Sequence, residues 1–157
     1  MPILKARRSD RQGTEPEALE MVARAAYGHL GTTTEDGYPY VVPLNHALEG
    51  RTLYLHSAPL GLKISGITRD ERVCFEVSEM LKLVRGDAPC RYSVAYRSAI
   101  CFGRARIVER REDKMHALGA LALKYAGAPG PIAPEDADHV CIIAVEIEAA
   151  TCKSRLA

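Results

Sequence analysis

The stretch richest in chemistry is residues 53–63, LYLHSAPLGLK. A strand-like run ends in His56 and Ser57, a short loop carries Gly61, and Lys63 sits where a helix can begin. Backbone N–H groups at a helix start point outward, Ser57 brings a hydroxyl and Lys63 a full positive charge. Together they suit an anion, although the same spacing also describes an ordinary strand–loop–helix joint with a surface lysine. Residues 31–45, GTTTEDGYPYVVPLN, are a second candidate. Pro43 within a strand-like run leaves ladder groups unpaired, and these could hydrogen-bond a flat heterocycle. Asn45 is the single asparagine of the chain, and an amide within a strand is disfavoured without a partner. With no ligand, the segment is simply a hairpin. The third stretch is residues 92–107, YSVAYRSAICFGRARI, where Arg97 and Ser98 interrupt an apolar run. In a buried strand Arg97 needs an anionic or hydrogen-bonding partner; on an edge it would stand in water.

Other chemistries are missing. The chain has no GxGxxG after a strand, no GxxxxGK[ST], no HExxH, no EF-hand loop and no GxSxG elbow. Its five histidines, at 29, 46, 56, 116 and 139, are scattered. His46 and His56 flank a turn and could face each other across a hairpin, but no further ligands accompany them, so no metal site is expected. The five cysteines are odd in number and form no CxxC, which argues against a disulfide framework or a zinc ribbon and for a reducing compartment. Cys74, Cys101 and Cys141 sit in apolar runs and read as small core residues.

The elements that must position these residues follow from pattern. Residues 1–13 read as an arm. Thr14 with Glu17 has capping-box spacing and Pro16 suits a first turn, so a helix opens there with Leu19, Val22, Ala26 and Leu30 as its stripe. Strands follow over residues 29–34 and 38–48, with Asp36-Gly37 as a hairpin turn. Pro43 makes the second of these an edge strand or gives it a bulge. A third strand covers 52–56, a short helix follows the Gly61 loop, and a fourth strand covers 72–77. A long strand runs over 92–108 with Gly103 as a bulge or kink. A second helix covers 112–125 with Met115, Leu118, Leu121 and Leu123 apolar, then comes a Gly/Pro/Ala loop at 126–138 and a buried strand at 140–147. Strands joined by hairpins favour an antiparallel sheet or barrel over a parallel one.

Composition is consistent with one domain spanning residues 1–157: 47% hydrophobic, 26% charged, 157 residues, no Trp. A formal charge of +1, from 21 basic and 20 acidic residues, provides no field for nucleic acid or a membrane surface. The local cluster of Lys5, Arg7, Arg8 and Arg11 reads as a solvated arm. No signal peptide and no membrane-spanning run is visible, so a cytoplasmic location is expected.

Taken in order, these stretches resemble a known family. HLGTTTEDGYPYVVPLNH at 29–46, LYLHSAPLGLKISGI at 53–67, RVCFEV at 72–77, YRSAICFGRARIV at 96–108 and IEAATCK near the end are similar to the pyridoxamine 5′-phosphate oxidase-like, FMN-binding split-barrel superfamily, in its nitroimidazole-reductase branch. The basic Arg7–Arg11 segment and a helix containing Lys114 fit the same pattern. The resemblance implies a mainly β, antiparallel split β-barrel with peripheral helices, forming a homodimer with FMN at the subunit interface. It implies that His56, Ser57, Leu62 and Lys63 hold the flavin phosphate, and that the ring lies along Val41, Val42, Pro43, Leu44 and Asn45. Thr32, Tyr96, Arg97 and Ser98 would lie nearby. His56 matches a histidine implicated in substrate handling; an imidazole can pass a proton near neutral pH, or it can simply pack beside the ring. The implied activity is that of an FMN-dependent oxidoreductase, passing electrons from a reduced donor such as NAD(P)H to a small organic acceptor, nitro-aromatics included. The alternative is a non-enzymatic flavin, haem or deazaflavin binding or sensing protein on the same fold. The basic C-terminal extension of true pyridoxamine phosphate oxidases has no counterpart after Lys153, so oxidation of that substrate is not expected.

Overall fold

The computed structural model describes residues 7–156. Lys5 and the rest of the first six residues of the expected arm lie outside the described residues. What is described of the arm is docked: Ser9–Arg11 forms a short 3₁₀ turn, Gln12 bridges to Lys153, and Gly13 N–H donates to Cys152 O at 3.1 Å.

Helix α1 spans Glu15–Arg24. Its start is the expected capping box: Thr14 N–H donates to Glu17 Oε2 at 2.6 Å, and Glu17 N–H donates to Thr14 Oγ1 at 3.4 Å. The apolar stripe expected through Ala26 and Leu30 is cut short. Ala25 turns extended (ψ 137°), the helix ends, and Leu30 belongs to strand β1, Gly28–Thr33. The helix buries Ala18 and Val22 instead.

Beyond β1 come β2 (Pro39–Leu44), β3 (His46–Glu49), β4 (Thr52–Ser57), α2 (Leu62–Arg69), β5 (Arg72–Val84), β6 (Ser93–Val108), α3 (Arg111–Ala126), α4 (Pro134–Asp138) and β7 (Cys141–Arg155). The strands make one antiparallel seven-stranded sheet in the order β2-β1-β5-β6-β7-β4-β3. The β1–β2 hairpin closes as expected, with Gly37 at φ +82° and Thr34 N–H donating to Tyr38 O at 2.8 Å. Pro43 lies on an edge strand, where its missing N–H costs no ladder bond.

One expected strand divides. Residues 38–48 form β2 and β3, broken at Asn45, because the first half pairs with β1 and the second with β4. These two strands lie at opposite ends of the sheet order. One residue of chain joins them, so the sheet must curl until its ends meet: this is the split barrel. Its core is Leu30, Leu53, Leu55, Phe75, Val77, Ile143 and Val145, closed on one side by Ala18 and Val22 of α1.

Several strands are longer than their patterns suggested, and the loop after α3 contains α4. The extension of β5 is held by pairing with β6 rather than by burial: Met80, Leu81 and Leu83 are exposed. Gly103 is a bulge as expected. The register with β7 shifts between Phe102 and Gly103, and a Cβ on Gly103 would run into the Glu146 carbonyl oxygen. On α3, Ala117 and Leu121 are buried, while Leu123, expected on the apolar face, is exposed.

His46 and His56 do not face each other. His46 pairs with Leu55 across β3–β4, and that one-residue offset places the two imidazoles on opposite faces. His46 is fully buried and His56 exposed. All five cysteines are free thiols; Cys101, Cys141 and Cys152 are buried and Cys74 is half-buried. Among the described residues no three His, Cys, Asp or Glu side chains converge on a metal position, and no helix is long and apolar enough to cross a membrane.

Candidate functional site

The junction between β4 and α2 has the form its sequence suggested. Gly61 caps the helix at φ +121°, a conformation side chains rarely adopt, and offers no side-chain acceptor. Ile64 and Ser65 N–H donate back to Gly61 O at 3.0 and 3.2 Å. The N–H groups of Leu62 and Lys63 have no such return bond, as in any open first turn. Lys63 is half-buried, and its charge is felt at Cys141, the register partner of Ser57. Burial raises the Cys141 thiol pKa, and Lys114 and Lys63 pull it partly back. Lys63 and Ser57 therefore share one corner. Ser57 is turned onto its own loop, donating to Ala58 O at 2.6 Å, so its lone pairs rather than its proton face outward.

Edge strand β2 alternates as a strand must. Val41 and Pro43 point out, while Val42 and Leu44 pack toward the core. Thr32, on neighbouring β1, is buried beneath α2, where a Cβ on Gly66 would lie 3.2 Å from its Oγ1. That hydroxyl has no hydrogen-bond partner.

Pro43, Leu44, Asn45 and His56 meet in one cleft of about 480 Å³, together with Ala26, Tyr27 and Tyr125. The two tyrosines escaped the sequence reading. Tyr125 looked like one more residue of a helix, and Tyr27 like part of a helix–strand joint. Only the break at Asn45 brings α3 and the α1–β1 joint against β2. Tyr125 fixes that break: its hydroxyl accepts from His46 N–H at 3.0 Å and donates to Ala26 O at 2.8 Å.

Behind the cleft lies His46, packed edge-on against Phe75 with centroids 4.9 Å apart. Its Nε2 is 2.6 Å from Val22 O, which can only accept, so Nε2 carries the proton. Lys124 Nζ stands 3.0 Å from the same nitrogen. Burial, ahead of the nearby Lys124 charge, lowers the His46 pKa to about 4. Burial likewise lowers that of Lys124 to about 8.

Tyr96, Arg97 and Ser98 do not join this cleft. They pair with Met80, Glu79 and Ser78 of β5 on one side and with Arg155, Ser154 and Lys153 of β7 on the other. Arg97 is exposed and lines a second cleft of about 1050 Å³ with Arg24, His29 and Glu79. The third stretch therefore reaches the larger cleft through Arg97, while the first two meet in the smaller one. Tyr27 and Ala26 line both clefts and stand between them.

None of the curated proteins is significantly similar in sequence. Among solved structures, a candidate 5-nitroimidazole antibiotic resistance protein from Bacteroides thetaiotaomicron shares 33% identity, covering 89% of this chain and 83% of that one at a TM-score of 0.79. The flavocytochrome Anf3 from Azotobacter vinelandii superposes at a TM-score of 0.82 with 20% identity, over 98% of this chain and 73% of that one. An FAD and haem binding protein from Mycobacterium smegmatis does so at 0.79 with 16% identity, over 92% and 73%; at such identities the likeness shows the fold alone. The family model for pyridoxamine 5′-phosphate oxidase matches residues 14–154. That span takes in both long helices and all seven strands but for the last residue of β7, and with it the chain belongs to the pyridoxamine 5′-phosphate oxidase-like family.

Proposed function

We propose that this protein is an FMN-dependent oxidoreductase. It would take electrons from a reduced donor such as NAD(P)H and pass them to a small organic acceptor, nitro-aromatics among them. The observation that carries the reading is the convergence of Pro43, Leu44, Asn45 and His56 on one cleft, with the Ser57–Lys63 corner following directly along β4.

The residues present fit the cofactor. An edge strand leaves alternate backbone groups unpaired, and β2 is such an edge; those groups suit the polar rim of a flavin ring. The open first turn of α2 and the Lys63 ammonium suit a phosphate dianion. The orphaned Thr32 hydroxyl marks a further polar position beneath α2. FMN bound there supplies electron transfer; the chain binds it, orients it and shields it. His56, exposed in the cleft, is placed to orient an acceptor or hand it a proton.

The reading includes a homodimer. Within one chain, Arg97 lines a different cleft from His56, and Tyr96 and Ser98 line neither, so on this reading a second copy brings such residues to a shared flavin. The uncovered Met80, Leu81, Leu83 and Tyr92 on the β5–β6 arm support a covered face there. The similarity to a nitroimidazole resistance candidate supports the acceptor class. The names of the flavocytochrome and of the FAD and haem binding protein support a second reading in which the group held is a haem and the exposed His56 would be the residue to hold it. The decisive experiment is anaerobic: FMN-loaded protein is reduced by NAD(P)H and then mixed with a nitro-aromatic. Reoxidation coupled to loss of the nitro compound supports the oxidoreductase. A Soret band on haem addition, with no flavin uptake, overturns it.

A further inference from the structure

Lys124 is half-buried, and among the described residues no carboxylate pairs with it: burial alone shifts its pKa, down to about 8. An unpaired ammonium that has lost water is costly. A lysine stem in the last turn of a helix can carry its charge out to water. Here it turns inward instead, and Nζ stops 3.0 Å from His46 Nε2. Two helix ends meet at that point. Lys124 is in the last turn of α3, and His46 Nε2 donates to Val22 O in the last turn of α1. The partial negative charge of helix C-termini offsets part of the lost hydration. The groups facing this end of α3 are few. Strand β3 presents His46, which burial keeps neutral with a pKa of about 4, α1 presents the Val22 carbonyl, and Tyr125 follows on α3 itself. Tyr54, Glu49 and His116 meet α3 roughly two turns nearer its start, and the Arg111–Asp138 pair lies at its first residue.

From there the charge acts on the smaller cleft. Nζ lies 5.5 Å from the centroid of the Tyr125 ring, and Tyr125 lines the cleft. The ring is fixed, because its hydroxyl is bonded to His46 N–H and to Ala26 O. None of the residues lining the cleft is itself charged. We propose that Lys124 is a positioning residue for the redox chemistry: held by His46 behind Tyr125, its positive charge favours the reduced over the oxidised form of a flavin in the cleft. The inference rests on the flavin reading and adds to it a residue that does not touch the flavin. Reduction places negative charge on the flavin ring, and a charge near that ring is one means by which a protein tunes it. A cation acting through an aromatic wall is screened less than one acting through water.

The test uses FMN-loaded protein and reads the potential of the bound flavin rather than turnover, in the wild type, Lys124→Met and Lys124→Arg. Potentials are measured at about pH 6.5 and about pH 9.5, either side of the Lys124 pKa of about 8, together with a denaturant midpoint for each variant. At the lower pH, Lys124→Met should disfavour reduced flavin about three- to tenfold against the wild type. That is a potential lower by roughly 15–30 mV for a two-electron couple, and Lys124→Arg should stay close to the wild type. At the higher pH the wild-type ammonium loses its proton, so its potential should fall to that of Lys124→Met, while the always-charged Lys124→Arg stays above both. A lysine that only caps helix ends would move the denaturant midpoint and leave the potential alone. Equal potentials of wild type and Lys124→Met at the lower pH, or a gap undiminished at the higher, overturn the inference. Should the methionine variant not fold, wild type against Lys124→Arg decides, and equal potentials at the higher pH overturn it. A wild type that takes up no FMN overturns the flavin reading and the inference together; uptake with an unmoved potential overturns the inference alone.

Discussion

At the residue scale, the informative contrast is between two histidines ten residues apart, His46 and His56, that stand in opposite surroundings. His56 faces the cleft, whereas His46 is buried against Phe75 with its Nδ1 unpartnered. Burial holds the His46 pKa near 4 against an ordinary 6.5. The sign of the pH effect follows. Between those values the unfolded chain binds a proton that the folded chain refuses, so stability is complete above pH 6.5 and falls as pH drops toward 4. Charging this one buried imidazole costs about 3 kcal/mol. Urea unfolding of wild type and His46→Leu between pH 7 and 4 should show that slope in the wild type and a reduced slope in the variant; parallel curves would show that His46 titrates freely. Sequence alone suggested a possible pairing of these two histidines. It could not show that a one-residue register offset separates them, because strand register is set by partners far along the chain.

At the element scale, most of the fold was legible. The capping box at Thr14, the Asp36-Gly37 hairpin, the edge position of Pro43 and the bulge at Gly103 are local signals, and each is present. What was not legible is non-local. The division of residues 38–48 at Asn45 depends on β2 pairing with β1 and β3 with β4. The far half of β5 exists because β6 lies beside it. The early stop of α1 reflects the pull of β1 pairing on residues that, by periodicity, could have stayed helical. The Gly103 bulge admits a direct check. A Cβ there collides with backbone, the Glu146 carbonyl, which cannot rotate away. Gly103→Ala should destabilise the protein by about 1–3 kcal/mol, whereas Gly50→Ala, in a turn with open space around it but φ +58°, should cost only about 1 kcal/mol. Denaturant midpoints decide it, and equal losses at the two positions would show that backbone conformation alone governs both.

At the scale of the whole molecule, the candidate site was legible in part. Pro43, Leu44 and Asn45 of the β2–β3 stretch and His56 of β4 meet in one cleft, but Arg97 lines another and Tyr96 and Ser98 line neither, because which cleft a strand residue reaches depends on pairing far along the chain. The dimer reading has its own consequence. Met80→Glu with Leu83→Glu places two charges on the exposed apolar arm, and sedimentation should then show monomers where the wild type sediments as a dimer. A wild type that is monomeric at micromolar concentration would remove the interface from the account. The central claim is narrower: the Lys63 corner holds the phosphate of a flavin. Because the chain has no Trp, flavin fluorescence can be followed against a background of tyrosine alone. The measurement is a titration of wild type and Lys63→Ala with FMN and with riboflavin, which lacks the phosphate. The account predicts that the wild type binds FMN far more tightly than riboflavin, and that Lys63→Ala weakens FMN about ten- to a hundredfold while leaving riboflavin nearly unchanged. Equal binding of the two flavins by the wild type, or no binding of either, would contradict it.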